Sequence, residues 1–201
     1  NKDNVKCREA VSQQGEVGAM ILAPMLATCL IFMPFVLRIL YSDKFLEANE
    51  FISWACLGMM FRLASWVISY LFVAKAESKL FIKLELSVNL YNLALCLLGY
   101  KLLGLTGLGI AFVLEYIIYF LQVYFIARKR YNFKFTNSFI KCYGSQLFLI
   151  IGCLAIALLF DGWLKYTIGS ILIIISCFLG FKGLNQRMNL LGFIKNKIAR
   201  K

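Results

Sequence analysis

The chain has no histidine, two prolines and only 10 acidic residues against 22 lysines and arginines. Without histidine it lacks the commonest metal ligand and the commonest general base. Enzymatic acid–base chemistry, a metal centre and a cofactor are therefore not expected, and no residue is assigned a catalytic role. The 7 cysteines are scattered, none in a C-x-x-C pair. Most fall inside apolar runs, as small hydrophobes rather than ligands or disulfides. The shortage of acids leaves a net charge of +12. In a soluble protein that excess would suggest a nucleic-acid partner, but no basic stretch here interleaves with an aromatic platform. Positive loops on the inner side of a membrane account for it instead. The opening stretch, NKDNVKCREAVSQQGE, is polar and lacks the layout of a signal peptide. A chain that starts this way is expected to continue from an upstream part.

Apolar side chains are abundant. They make up 61% of the residues, where a soluble domain carries about 45–50%. Six apolar runs stand out, at 17–40, 51–74, 80–98, 108–127, 143–160 and 166–181. Most approach the ~20 residues a helix needs to cross a bilayer. None alternates with the period of two that marks a barrel strand. The expected fold is all-α: a cytoplasmic leader at 1–16, a six-helix transmembrane bundle over 17–183 and a basic cytoplasmic tail at 184–201. Charge sets its orientation. Lysine and arginine concentrate in the leader, in the second–third connection (Lys75, Lys79, Lys83), in the fourth–fifth connection (Arg128, Lys129, Arg130, Lys134, Lys141) and in the tail. The alternate connections hold only Lys44, Lys101 and Lys165. Both ends are therefore predicted to face the cytoplasm.

Within the spans a few residues break the apolar pattern. Pro24 and Pro34 both fall in the first run, where each removes a backbone donor and can kink the helix. Arg38, one turn beyond Pro34, reads as a side chain snorkelling to the outer interface. The second run carries Arg62, a charge that costs roughly 2.5–3.5 kcal/mol near the centre of a spanning helix. Gly58, Ser65, Trp66 and Ser69 share its face at helical spacing. The third run carries Glu85, Asn89 and Asn92, and the fourth carries Glu115, Tyr119 and Gln122 at the same spacing. A single polar stripe can serve as helix–helix glue. Three in succession predict a shared, wet, central cavity, with the fifth and sixth helices at the periphery. Gly104, Gly107 and Gly109 read as a tight outer turn with close helix packing, because no strand precedes them and the dinucleotide pattern is incomplete.

The run EVGAMILAPMLATCLIFMPFVLRILYSDKF, followed by LGMMFRLASWVISYLFVAKAESKLFIKLE, resembles the C-terminal half of a Wzx-type O-antigen translocase or of the related lipid III flippase of enterobacterial common antigen. These belong to the multidrug/oligosaccharidyl-lipid/polysaccharide exporter superfamily. The resembling residues are Glu16-Val17-Gly18, Pro24, Leu40-Tyr41-Ser42, Phe45, Ala48, Gly58, Arg62 with Ser65-Trp66, Ala74-Lys75, Glu85, Gly107-x-Gly109 and the Tyr119 region. They span about Glu16 to Arg130; beyond Tyr131 only the helix pattern is similar. An acid at the position of Glu115 is not a feature of the resemblance. The resemblance implies one lobe of a two-lobed exporter in a bacterial inner membrane. Its cargo would be an undecaprenyl-diphosphate-linked oligosaccharide, its surroundings membrane lipids, with other polysaccharide assembly proteins as further partners.

Two readings stand for Arg62. Its guanidinium suits the oxygens of a lipid diphosphate, and it equally suits an internal ion pair with Glu115 or Glu85. Lys75 and Lys79, with Lys83, lie at a cytoplasmic mouth, either as topology charge or as electrostatic capture of the diphosphate. Ser65, Ser69, Glu85, Asn89, Asn92, Tyr119 and Gln122 are expected to line the cavity, and Glu115 is the candidate for proton or cation coupling. A cation-coupled exporter of small organic substrates is the first alternative. A membrane-embedded polymerase or glycosyltransferase is the second, disfavoured by short outer loops and the missing histidine.

Overall fold

A computed structural model of the chain describes residues 2–41, 46–160 and 162–188. Among these the protein is all-helical: α1 (Lys2–Leu40), α2 (Ala48–Ala74), α3 (Ser78–Tyr131), α4 (Asn137–Leu159) and α5 (Trp163–Met188). All 5 helices are long and apolar enough to cross a membrane. Large apolar side chains such as Leu102, Phe148, Leu159 and Phe178 stand exposed on their outer faces, which only a hydrocarbon surrounding renders favourable over so wide an area. The molecule is a multi-pass membrane protein. Of the sequence expectations, Ser42, Lys44 and Phe45 and the tail beyond Met188 lie outside the described residues.

The third element differs from expectation. It is a 54-residue run of helix that contains one non-helical residue, Gly104, at φ 61° and ψ −136°. Drawn straight it would be ~80 Å long, against ~30 Å of hydrocarbon. The chain instead reverses at Gly104. Asn92 hydrogen-bonds Glu115, Ser87 hydrogen-bonds Gln122, and Arg130 pairs with Glu77 at 2.5 Å. These contacts close symmetrically about one point, so the arms 78–103 and 105–131 lie antiparallel. The expected connection over residues 99–107 is thereby compressed to the neighbourhood of one glycine. Gly99 and Gly107 face each other so closely that a Cβ on either would strike the other's carbonyl, which lets the two arms touch backbone to backbone.

The hairpin packs on α2. Val67, Ile68, Leu71 and Phe72 of α2 meet Leu84 and Val88 of the first arm and Tyr116, Tyr119 and Val123 of the second. Gly58 of α2 receives Phe112, and Gly109 sits against Phe51 and Trp54. A second core joins α1 (Ala23, Leu26, Ala27, Leu30, Ile31), α2 (Cys56, Met60) and α4 (Ile150, Cys153, Leu154). The axis of the bundle is therefore α1 with α2. The α3 hairpin covers α2, and α4 and α5 pack mainly on α1. Pro24 leaves the Met20 carbonyl without its helical amide donor, and Gly180 of α5 approaches that carbonyl directly.

Connections are tied at both ends. The α2–α3 link is a Schellman-type stop: Glu77 N–H donates to Phe72 O and Ala76 N–H to Val73 O, with Ala76 at φ 58°. Residues 2–16, the described part of the segment expected as a cytoplasmic leader, form the first turns of α1. There the Ser12 hydroxyl accepts from the backbone N–H of Thr136, the residue that caps α4. At the opposite end Thr106 hydrogen-bonds Glu50, and Arg38 lies exposed in the last turn of α1.

Candidate functional site

Among the described residues, the polar stripes of α2 and the two α3 arms converge on one another. Tyr119 donates its hydroxyl to Glu85 Oε1 at 2.6 Å and lies 2.9 Å from the Ser69 hydroxyl. Asn92 Nδ2 donates to Glu115 Oε2 at 2.6 Å, and Gln122 exchanges contacts with Ser87 at 3.2–3.3 Å. Glu115 is 2% exposed and Tyr119 1%, so these groups satisfy each other inside the α2–α3 unit. Beside this network lies a cleft of about 140 Å³ lined by Trp66, Ser69, Tyr70, Phe81 and Glu85. The hairpin sets the arrangement: its arms approach through glycine at the tip, and the polar stripes meet below.

Asn89 is exposed, while Glu85 and Asn92 are half-buried. On a helix Asn89 and Asn92 diverge by about 60° around the axis, and the inward face falls on the Asn92 side. Ser65 is buried, with its hydroxyl donating to the Arg62 carbonyl at 2.8 Å within its own helix. Its polarity is spent locally rather than on a cavity.

Arg62 stands apart from this network. α2 and the first arm run antiparallel from the turn at residues 75–77. Two turns of helix, roughly 10 Å, separate Ser69 from Arg62 and Glu85 from Asn92. Arg62 therefore lies at about the depth of the Asn92–Glu115 pair. Its guanidinium carbon sits 4.7 Å from the Trp66 ring centroid and 5.4 Å from that of Tyr116. Nη1 reaches only the Met59 sulfur, at 3.9 Å. Nε is buried with no hydrogen-bond partner. Among the described residues no carboxylate lies within ion-pairing distance of it; Glu85 and Glu115 are held by neutral donors instead. Trp66, at i+4 from Arg62, was visible in the sequence as a neighbour on the same face. Tyr116 was not, because its approach depends on the hairpin.

At the base of the hairpin a wider cleft of about 530 Å³ is lined by Ala76, Glu77, Ser78, Lys79, Leu80, Lys83 and Arg130. Lys79 and Lys83 are exposed, and Lys75 is half-buried beside the turn without lining the cleft. Arg130 joins the two lysines from across the hairpin; in the sequence it reads only as one more loop charge. No cluster of three or more histidine, cysteine, aspartate or glutamate side chains suited to a metal occurs among the described residues. Comparison with known protein families, curated proteins and solved structures yields no match.

Proposed function

We propose that this chain is a lobe of a translocator that moves a polyprenyl-diphosphate-linked oligosaccharide across a bacterial inner membrane. In this reading the two arms of α3 are separate crossings, giving six, with both ends in the cytoplasm. The observation that carries the proposal is Arg62: a cation deep in a spanning helix, packed against Trp66 and Tyr116, with a buried Nε that has no hydrogen-bond partner among the described residues. A diphosphate offers the oxygens that such a fork of donors lacks. Two further features support the reading. The basic cleft of Lys79, Lys83 and Arg130 lies at the end of the hairpin where a cytoplasmic headgroup would arrive. Higher up, Trp66, Tyr70, Ser69 and Glu85 combine ring faces with hydroxyl and carboxylate acceptors, the chemistry that suits sugar rings and their hydroxyls.

The cargo's sugars and diphosphate must avoid the hydrocarbon, while its prenyl tail is at home there. A polar site on the flank of a hairpin, open towards lipid, meets that division. The test is export of glycan in cells that lack their own translocator, with membrane-inserted protein quantified in parallel. Arg62→Lys keeps the charge and removes the planar fork; export is expected to fall at least about tenfold at equal protein level. Normal export by Arg62→Lys would end the diphosphate assignment. A cation-coupled exporter is the second reading, favoured by Glu115, a carboxylate 2% exposed within a span. Under it, Glu115→Gln abolishes dependence of transport on a proton gradient.

A further inference from the structure

A second basic cleft, of about 520 Å³, lies between the start of α4 and the end of α5. Lys141, Ser138 and Ser145 of α4 face Lys182 and Leu179 of α5 across it, and Met20 of α1 forms its floor. No carboxylate lines it, and the chain has no acidic residue after Asp161. The two lysines come from different helices and, among the described residues, neither makes an ion pair. The floor is firm: Gly180 approaches the Met20 carbonyl, and the buried Gln146 is committed to Ser176 through bonds of 3.2 and 2.7 Å.

The surroundings of the cleft are apolar. Ile140, Phe148, Phe178 and Leu179 are all exposed on the adjoining faces of α4 and α5. Along the seam between these helices Gly152 meets Leu172 at ordinary contact distance, leaving a shallow apolar line without bulky side chains from α4 at that point. Each helix packs more extensively on α1 than on its neighbour. A ligand for this place therefore needs a compact anion for the two lysines, and a hydrocarbon part for the apolar faces beside them. A basic pocket between helices at the inner interface is the setting in which phospholipid headgroups bind.

We propose that this cleft binds the phosphodiester headgroup of an anionic phospholipid, with an acyl chain along the α4–α5 seam, so that the lipid ties α4 to α5. The phosphate oxygens take Lys141 and Lys182, one from each helix. The site is separate from Arg62 and does not depend on what the protein transports.

Native mass spectrometry of the purified protein, with phosphatidylglycerol and phosphatidylcholine added in turn, tests this. The protein is expected to retain phosphatidylglycerol roughly 10- to 30-fold better than phosphatidylcholine, from two lysines near the headgroup. Lys141→Gln with Lys182→Gln is expected to erase that preference, and Lys141→Arg with Lys182→Arg to keep it. Equal retention of the two lipids by the unaltered protein would overturn the proposal without recourse to any variant. Displacement of phosphatidylglycerol by millimolar inorganic phosphate would also overturn it, marking a free-anion site in place of a lipid site.

Discussion

Replacing Gly104 by alanine isolates the backbone requirement of the α3 hairpin. At φ 61° and ψ −136° the residue occupies a region that essentially only glycine enters without strain. A Cβ built there meets nothing within 4 Å, so the substitution adds no clash and its whole effect is conformational. The expected loss is about 1–3 kcal/mol. Gly144 provides the internal control: it too has open space around it, but it lies in the ordinary helix of α4. There the same change should stabilise by roughly 0.5–1 kcal/mol, because alanine restricts the unfolded chain and favours the helix. Reversible unfolding in mixed micelles, followed by tryptophan fluorescence and circular dichroism, gives both values on one scale. Opposite signs are expected. If Gly104→Ala matched the unaltered protein within ~0.3 kcal/mol, the chain would not be reversing at that residue, and the pairing of the two arms would have to be abandoned.

Two further changes probe the same unit from other sides. Ala76 holds the left-handed position of the α2–α3 stop at φ 58°, so Ala76→Gly should raise stability by up to about 1 kcal/mol in the same assay; a loss would mean that this turn is not strained. Tyr119→Phe removes a hydroxyl that serves Glu85 and Ser69 together. Because it leaves a carboxylate oxygen short of its donor, the expected cost is about 1–3 kcal/mol, and the double variant with Glu85→Leu should recover part of it. Strictly additive losses in that pair would deny the contact.

Much of this architecture is written in the apolar runs. Their lengths mark where helices lie, and the polar stripes on the second, third and fourth runs mark the faces that meet. Which residues pair is not legible, because pairing depends on the register of the hairpin. Asn92 finds Glu115, and Tyr119 finds Glu85 and Ser69, only once Gly104 fixes where the chain turns. A spacing of i, i+4, i+7 treats Asn89 and Asn92 as equivalent, yet the neighbouring arm covers only one side of that stripe, and Asn89 is exposed. The pairing of the stripes with one another was hidden for a related reason. Polar side chains that point inward can satisfy one another when the backbones approach closely, and close approach is what Gly99 and Gly107 permit. Arg130 was hidden differently: its partner Glu77 is far away in sequence, and charge counting assigns both to loops.

The unpaired state of Arg62 bears directly on how an anion could be captured. Had Arg62 been bridged to Glu115, a visiting phosphate would first have to break that pair, and separating a buried pair costs about 3–5 kcal/mol. The structure instead supplies each carboxylate with a neutral donor, Asn92 for Glu115 and Tyr119 for Glu85, and covers the guanidinium with two rings. Cation–π contact offsets about 0.5–2 kcal/mol of the roughly 2.5–3.5 kcal/mol that a mid-span charge costs, which leaves a deficit that, under the proposed function, an incoming anion would relieve. It also leaves the cation with donors still to satisfy, Nε above all. An arginine held in this way is positioned by the rings while remaining short of acceptors. Under the proposed function, a residue that takes up a phosphate and later releases it would need both properties, and a resident salt bridge would deny the second.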